Sequence, residues 1–283
     1  MHHRARRSAR LRPLRRVETT SDVLHVQMYE RVALITLHRP AVRNALNTEL
    51  IDALWEVMPA VDDDPEVRAI VLTGSDPAFC SGLDLAELSG SGENARPRQQ
   101  RDHVSARGAL PPVITPTVGA INGAAVTGGL EIALNCDVLV ASERARFADT
   151  HLRVGVMPGG GLTVLLPRRV GMGKALEMSL TGAVLDAEAA LTCGLVDRVV
   201  PHEELLPTAL ALASAMGEME PDALRYLVAT FRQVAAMPEL AGREHERTRG
   251  HAWREGIIDT AAVGAAKDAI LQRGHQEQKS RPR

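Results

Sequence analysis

The run Val67-Arg68-Ala69-Ile70-Val71-Leu72-Thr73, closed by Gly74, sets the tightest limit on the fold. A strand with one face in water alternates apolar and polar residues, whereas this one is nearly all apolar, the pattern of a strand covered on both faces. It predicts an α/β protein in which a sheet is packed on either side. A chain of 283 residues, 45% of them apolar, has enough material for such a core.

The rest of the chain supplies partners for that strand. Residues 23–29 and 31–37 read as a hairpin turning at Glu30. Asn47 is placed to cap a helix whose apolar residues Leu50, Ile51, Leu54, Val57, Met58 and Val61 follow a helical period, and Pro59 is expected to bend or end it. Further strands are expected at 113–121, 137–141 and after Gly194, with helices at 128–135, 162–169 and 186–192 and a turn-rich passage between the last two. The strand, strand, helix cadence recurs at loose spacing, as in a coil of similar units. Segment 89–100, SGSGENARPRQQ, reads as an exposed, mobile loop.

After Pro201 the pattern turns helical, at 202–217, 221–236 and about 239–272, with apolar stripes larger than one small body needs. This gives four expected segments: a disordered basic extension at 1–20, a core at 21–200, a helical region at 201–275 that packs on the core or on another subunit, and a flexible tail at 276–283.

Charge and cysteine usage narrow the function classes. Residues 1–16 hold seven Arg and no acid, and the remaining 26 basic residues face 35 acids, so the body carries a charge near -9. That body is a poor nucleic-acid surface, and no nucleic-acid partner is expected. Cys80, Cys136 and Cys193 stand at no metal-ligand spacing and fit a reducing, cytoplasmic setting, with neither metal nor disulfide expected. No apolar run reaches the roughly 18 residues that a membrane span needs.

Two segments carry candidate chemistry. Phe79-Cys80-Ser81-Gly82-Leu83-Asp84-Leu85 follows the buried strand, and a small residue before Gly can leave the Ser81 N–H free to point into a cleft; the alternative is an ordinary turn with Asp84 capping a short helix. In Asn122-Gly123-Ala124-Ala125-Val126-Thr127-Gly128-Gly129-Leu130-Glu131, glycines open a helix whose first N–H groups are unpaired. Glu131 falls in that first turn, either facing a ligand or offsetting the helix dipole. Two convergent amides, from Ser81 and Gly128, would stabilise an enolate or tetrahedral oxyanion.

These residues bring the chain to a known pattern. RPAVRNALN at 39–47, AFCSGLDL at 78–85, GAINGAAVTGGLEIALNCDVLVAS at 119–142, ARFADTHLRVGVMPGGG at 145–161 and TGAVLDAEAALTCGLVDRVV at 181–200 together resemble the enoyl-CoA hydratase/isomerase, or crotonase, family. The resemblance covers about 23–200. It implies a crotonase-like spiral of β-β-α units, a C-terminal helical oligomerisation region forming a homotrimer or a dimer of trimers, and an acyl-CoA substrate with no separate cofactor. It assigns the two oxyanion amides to Ser81 and Gly128 and the acid/base role to Glu131. Where the family's hydratases carry a second glutamate this chain has His151, and an imidazole, which titrates near neutrality, can move the same proton.

The implied reaction is addition of water to a 2-enoyl-CoA; a 3,2-enoyl-CoA isomerase using Glu131 alone, or a non-catalytic acyl-CoA binder, are the alternatives. Asp149, two residues from His151, is a weaker candidate and is expected to point away from it. Thr127 stands where a glycine is frequent in the family and would restrict the backbone. Arg43 and Arg273 are the candidate contacts for coenzyme A phosphates.

Overall fold

The computed structural model describes the backbone of residues 15–17 together with residues 21–95, 108–256, 264 and 267. The chain divides into two compact units, residues 1–228 and 229–283.

In the first unit eleven strands form two sheets among the described residues. The larger has seven strands in the order β1 (Arg15–Val17), β2 (Leu24–Tyr29), β3 (Val32–Leu37), β4 (Ala69–Gly74), β6 (Thr117–Ile121), β8 (Val138–Ser142), β11 (Arg198–Val200). The smaller has four in the order β10 (Val184–Asp186), β9 (Arg146–Ala148), β7 (Ala124–Val126), β5 (Ala78–Cys80). The first three strands of the large sheet pair antiparallel, and from β3 onward all its pairs are parallel. In the small sheet β5, β7 and β9 are parallel and β10 is antiparallel.

Three successive turns of the chain each lay one strand in the large sheet, a second in the small sheet, and then a helix. β4 and β5 lead to α2 (Leu85–Ser89), β6 and β7 to α3 (Gly128–Leu134), and β8 and β9, after a 3-10 turn at His151–Val154, to α4 (Leu162–Val170). This is the spiral of β-β-α units.

The apolar strand at its centre behaves as its composition requires. All six residues of β4 are buried. Ile70 and Leu72 face a core shared with Leu50, Leu54 and Met58 of α1 (Thr48–Asp62), while Ala69 and Val71 face Leu205, Ala209, Leu210 and Ala213 of α7 (Leu205–Gly217). Two faces need two covers, so α7 belongs to the core of the first unit although it lies beyond Pro201. Asn47 caps α1, its Oδ1 accepting from Leu50 N at 3.0 Å.

Several expectations need correction. Pro59 does not end α1, which runs on to Asp62; so near the C-terminus its missing N–H removes only one bond, to the Trp55 carbonyl. The strand expected at 113–121 begins at Thr117, because the Ile114 and Thr115 amides donate to the Asp62 carboxylate at 2.8–3.1 Å instead of to a neighbouring strand. The turn-rich passage before α6 (Ala187–Thr192) contains a ten-residue helix, α5 (Met172–Thr181). Its interior, Lys174-Ala175-Leu176-Glu177-Met178, is made of good helix formers and lies between Gly173 and Thr181.

The last strand starts at Arg198, not at Gly194. Arg15–Val17, inside the stretch expected to be disordered, pairs with β2. The supposed mobile loop is ordered through Ala95: Asn94, 5% exposed, donates from Nδ2 to Leu46 O and Asp84 O. Residues 96–100 of that loop, most of the basic extension and the 276–283 tail lie outside the described residues.

α8 (Pro221–Val234) runs across the division between units, and α9 (Glu239–Gly256) lies in the second. There Arg249 Nε donates to Thr230 Oγ1 at 2.6 Å and His245 Nε2 pairs with Gln233 Oε1 at 2.8 Å, tying α9 to the end of α8.

Candidate active site

β5, β7 and β9 are parallel neighbours, so their carboxyl ends lie side by side along one edge of the small sheet. The residues that follow them are 81–84, 127–131 and 149–151. Ligands of open α/β sheets sit outside the carboxyl ends of strands, and every candidate group except the two arginines emerges there.

The first group differs from expectation. The Ser81 N–H, read as free, donates to the Arg43 carbonyl at 3.1 Å and is spent within the protein. Leu83 offers the available amide. Leu46 and Leu83 form a parallel bridge in which Leu46 N donates to Gly82 O at 2.8 Å and Asp84 N donates to Leu46 O at 3.0 Å. Groups on either side of Leu83 thus point toward residue 46, and the Leu83 N–H points away from it.

A Cβ at Gly128 would lie 3.8 Å from Leu83 N, so these two residues are neighbours. Gly128 opens α3, where a first-turn N–H has no intrahelical partner. Neither amide has an acceptor among the described residues. In a regular strand the amides of residues 81 and 83 would share a side; here the phase reverses at Gly82, whose φ of 92° is glycine territory. That glycine was the signal for Leu83.

Glu131 sits in the first turn of α3, 6% exposed. Its Oε1 accepts from Gly160 N at 2.7 Å. Burial pushes its carboxyl above the usual carboxylate range, while the Gly160 amide, His151 and the Leu162 amide pull the other way without prevailing. Its Oε2 lies 3.8 Å from Nε2 of His151, a residue 4% exposed.

Asp149 is not turned away from His151. Side chains two apart on a strand share a face, so the expectation that they diverge was mistaken in itself; after β9 the backbone moreover leaves the extended conformation at Thr150 (φ -114°, ψ 17°) and enters the 3-10 turn. Asp149 Oδ1 meets His151 Nδ1 at 2.6 Å and also accepts the His151 backbone N–H at 3.1 Å. Thr127, between β7 and α3, holds φ 52° and ψ -115°, a costly conformation for a β-branched residue.

Leu83, Gly128, Glu131 and His151 line one cavity of about 460 Å³, otherwise walled mainly by Leu46, Ile51, Leu54, Trp55, Ile132 and Met157. The cavity pairs an apolar wall with a few converging polar groups, the make-up of a small-molecule site. Asp84 caps α2, accepting from Ala86 N and Glu87 N, and pairs with Arg39 at 2.9 Å.

Asn44 was missed by the sequence reading; fully buried, it donates from Nδ2 to the carbonyls of Ser75, Ala78 and Phe79 and clamps the start of β5. Arg43 is exposed and forms no ion pair among the described residues, and Arg273 lies outside them. Among the described residues no cluster of three metal-ligating side chains occurs, and no helix is long and apolar enough to cross a membrane.

This spiral and its strand-end cavity define a crotonase-fold protein, and the comparisons agree. The family described as enoyl-CoA hydratase/isomerase matches residues 27–254. The probable enoyl-CoA hydratase echA8 of Mycobacterium tuberculosis is 38% identical over 206 residues, 73% of this chain and 79% of that protein. The 2,3-dehydroadipyl-CoA hydratase of Escherichia coli K12 is 39% identical over 224 residues, covering 79% of this chain and 87% of that one. The crystal structure of an enoyl-CoA hydratase from Mycobacterium tuberculosis H37Rv superposes with a TM-score of 0.70 at 44% identity, covering 83% of this chain and all of that one. The chain belongs to the enoyl-CoA hydratase/isomerase family.

Proposed function

We propose that the protein hydrates 2-enoyl-CoA thioesters. The observation that carries this reading is the placement of two proton-carrying side chains, Glu131 and His151, 3.8 Å apart in a cavity that also holds two unspent backbone amides. The names of the related hydratases support it.

In this reading the thioester oxygen accepts from the N–H groups of Leu83 and Gly128. Glu131 and His151 hold one water over the double bond. The water oxygen bonds to C3 and loses a proton, the C2–C3 π electrons move onto the thioester oxygen as an enolate, and a proton returned by the Glu131–His151 pair is added at C2. Two preorganised donors stabilise the enolate without reorganising, and one such donor is worth roughly 3–4 kcal/mol. The reaction as written consumes only water and needs no separate cofactor. Arg43 is the proposed contact for a coenzyme A phosphate, and Arg273 a second. The assembly that goes with this reading is a homotrimer or a pair of trimers, and the setting is cytoplasmic.

The test is the loss of the conjugated-thioester absorbance of crotonyl-CoA on adding purified protein, with solvent oxygen incorporated at C3. Glu131→Gln should abolish that loss. Absence of turnover with 2-enoyl thioesters of several chain lengths refutes the assignment; conversion of 3-enoyl to 2-enoyl thioester without oxygen uptake would instead identify an isomerase.

A further inference from the structure

Asp149 is 1% exposed and has no part in the water-handling step proposed above. Its Oδ1 accepts twice from the same residue, from the His151 backbone N–H at 3.1 Å and from the ring Nδ1 at 2.6 Å. The Ser179 hydroxyl on α5 also favours the charged form of this carboxylate. Burial favours the neutral acid, but the two bonds from His151, with the nearby Ser179 hydroxyl, outweigh it and hold the carboxyl below its ordinary range, so Asp149 is an anion.

A carboxylate can only accept hydrogen bonds, which places the ring hydrogen on Nδ1. In the neutral ring Nε2 then carries the lone pair, and that nitrogen is the one facing Glu131 Oε2. Together these contacts decide what His151 can do: an imidazole with its hydrogen on Nε2 would have nothing to accept a proton with on the cavity side.

We infer that Asp149 is the positioning residue of this site: it locks His151 in the Nδ1–H tautomer, presents Nε2 to the cavity as a proton acceptor, and offsets the imidazolium charge once Nε2 is protonated. A buried Asp behind the His of a Ser-His-Asp triad has the same two effects on its imidazole. The kinetic part of the inference rests on the hydratase reading; the tautomer part does not.

Two variants separate the two effects. Asp149→Asn keeps an acceptor oxygen in reach of Nδ1 and removes the charge; Asp149→Leu fills a similar volume and removes both. With crotonyl-CoA, kcat should fall roughly tenfold in the first, where the Asn oxygen is kept in place by the His151 backbone N–H, and roughly 100-fold or more in the second, on the scale of losing a partner that orients a histidine, with KM changing less than about threefold. Imidazole ¹⁵N NMR of His151 should show a protonated Nδ1 and an unprotonated Nε2 in the native protein and in Asp149→Asn, and a loss of that preference in Asp149→Leu.

The NMR readout stands even without turnover, so failure of the hydratase reading would leave the tautomer claim to be judged by itself. Should Asp149→Leu not fold, the native spectrum and the Asp149→Asn kinetics still decide. A native His151 with its hydrogen on Nε2, an unchanged tautomer in Asp149→Leu, or a kcat within about twofold of native in either variant overturns the inference.

Discussion

Gly160→Ala is the most economical way to displace the proposed base without removing it. An ideal Cβ at Gly160 would lie 2.8 Å from Glu131 Oε2, 2.9 Å from its Cδ and 2.7 Å from Ala109 Cβ. Ordinary carbon contacts fall at about 3.5–4.0 Å, so roughly 1 Å must be found somewhere. Ala109 is tied in place, its N–H donating to Gly160 O at 3.0 Å, which leaves the Glu131 carboxylate as the group that yields.

Displacing a reacting group by 1 Å costs about 100-fold in rate. The shift also stretches the 2.7 Å bond from Gly160 N to Oε1, and overpacking of this kind destabilises by about 1–3 kcal/mol, or roughly 2–10 °C in Tm. Gly159 is the control: it lines the same cavity, neither glycine has a positive φ, and a Cβ there meets nothing within 4 Å. Initial rates of crotonyl-CoA hydration with thermal unfolding should show Gly160→Ala slowed about 100-fold and Gly159→Ala within about twofold of native. If the two variants behave alike, the carboxylate is not held where the reaction needs it and the assignment of Glu131 fails.

Three further outcomes follow from the same contacts. Glu131 has its carboxyl raised above the ordinary 4.5 by burial, so the stability gained from its neutral form is complete below that value and is lost as pH rises through the raised one; thermal unfolding of Glu131→Gln should therefore gain on native as pH climbs from 4 toward neutrality, and a constant difference would contradict the shift. Thr127→Gly relieves backbone strain of about 1–3 kcal/mol at the cost of about 0.5–1 kcal/mol in chain entropy, giving a net gain in denaturant titration; a loss would mean that φ 52° is not strained there. Asn44→Ala leaves the Ser75, Ala78 and Phe79 carbonyls without their shared donor and should cost about 2–4 kcal/mol of stability, with a loss under about 1 kcal/mol pointing to replacement by water.

What the sequence made legible was set by length and by regularity. β4 could be read because six consecutive buried residues leave no other reading, and α1 because its cap and its period coincide. β5, β7 and β9 are three residues each, shorter than any alternation can reveal, so the small sheet that carries the site was invisible as strands and legible only as motifs. Glu131 and Gly128 were found because a helix start has its own chemistry. Asn44 was missed because its role is to satisfy carbonyls more than 30 residues away, which nothing local encodes.

The errors at Ser81 and Asp149 have different causes. At Ser81 a strand was extrapolated past Gly82, where a positive φ breaks its phase; at Asp149 the period itself was misread, since side chains two apart on a strand share a face, and the chain also leaves strand geometry at Thr150. Those breaks are also what make a site possible. Neighbouring strands lie about 4.8 Å apart, so the ends of β5, β7 and β9 span only about 10 Å, and three successive turns of the spiral deliver their next residues to one place. A regular continuation would send alternate groups to opposite sides of the sheet. Leaving strand geometry one to two residues after a strand instead turns the Leu83 amide toward Gly128 and brings both the backbone N–H and the ring of His151 to one oxygen of Asp149, so the departures from strand geometry concentrate at the cavity.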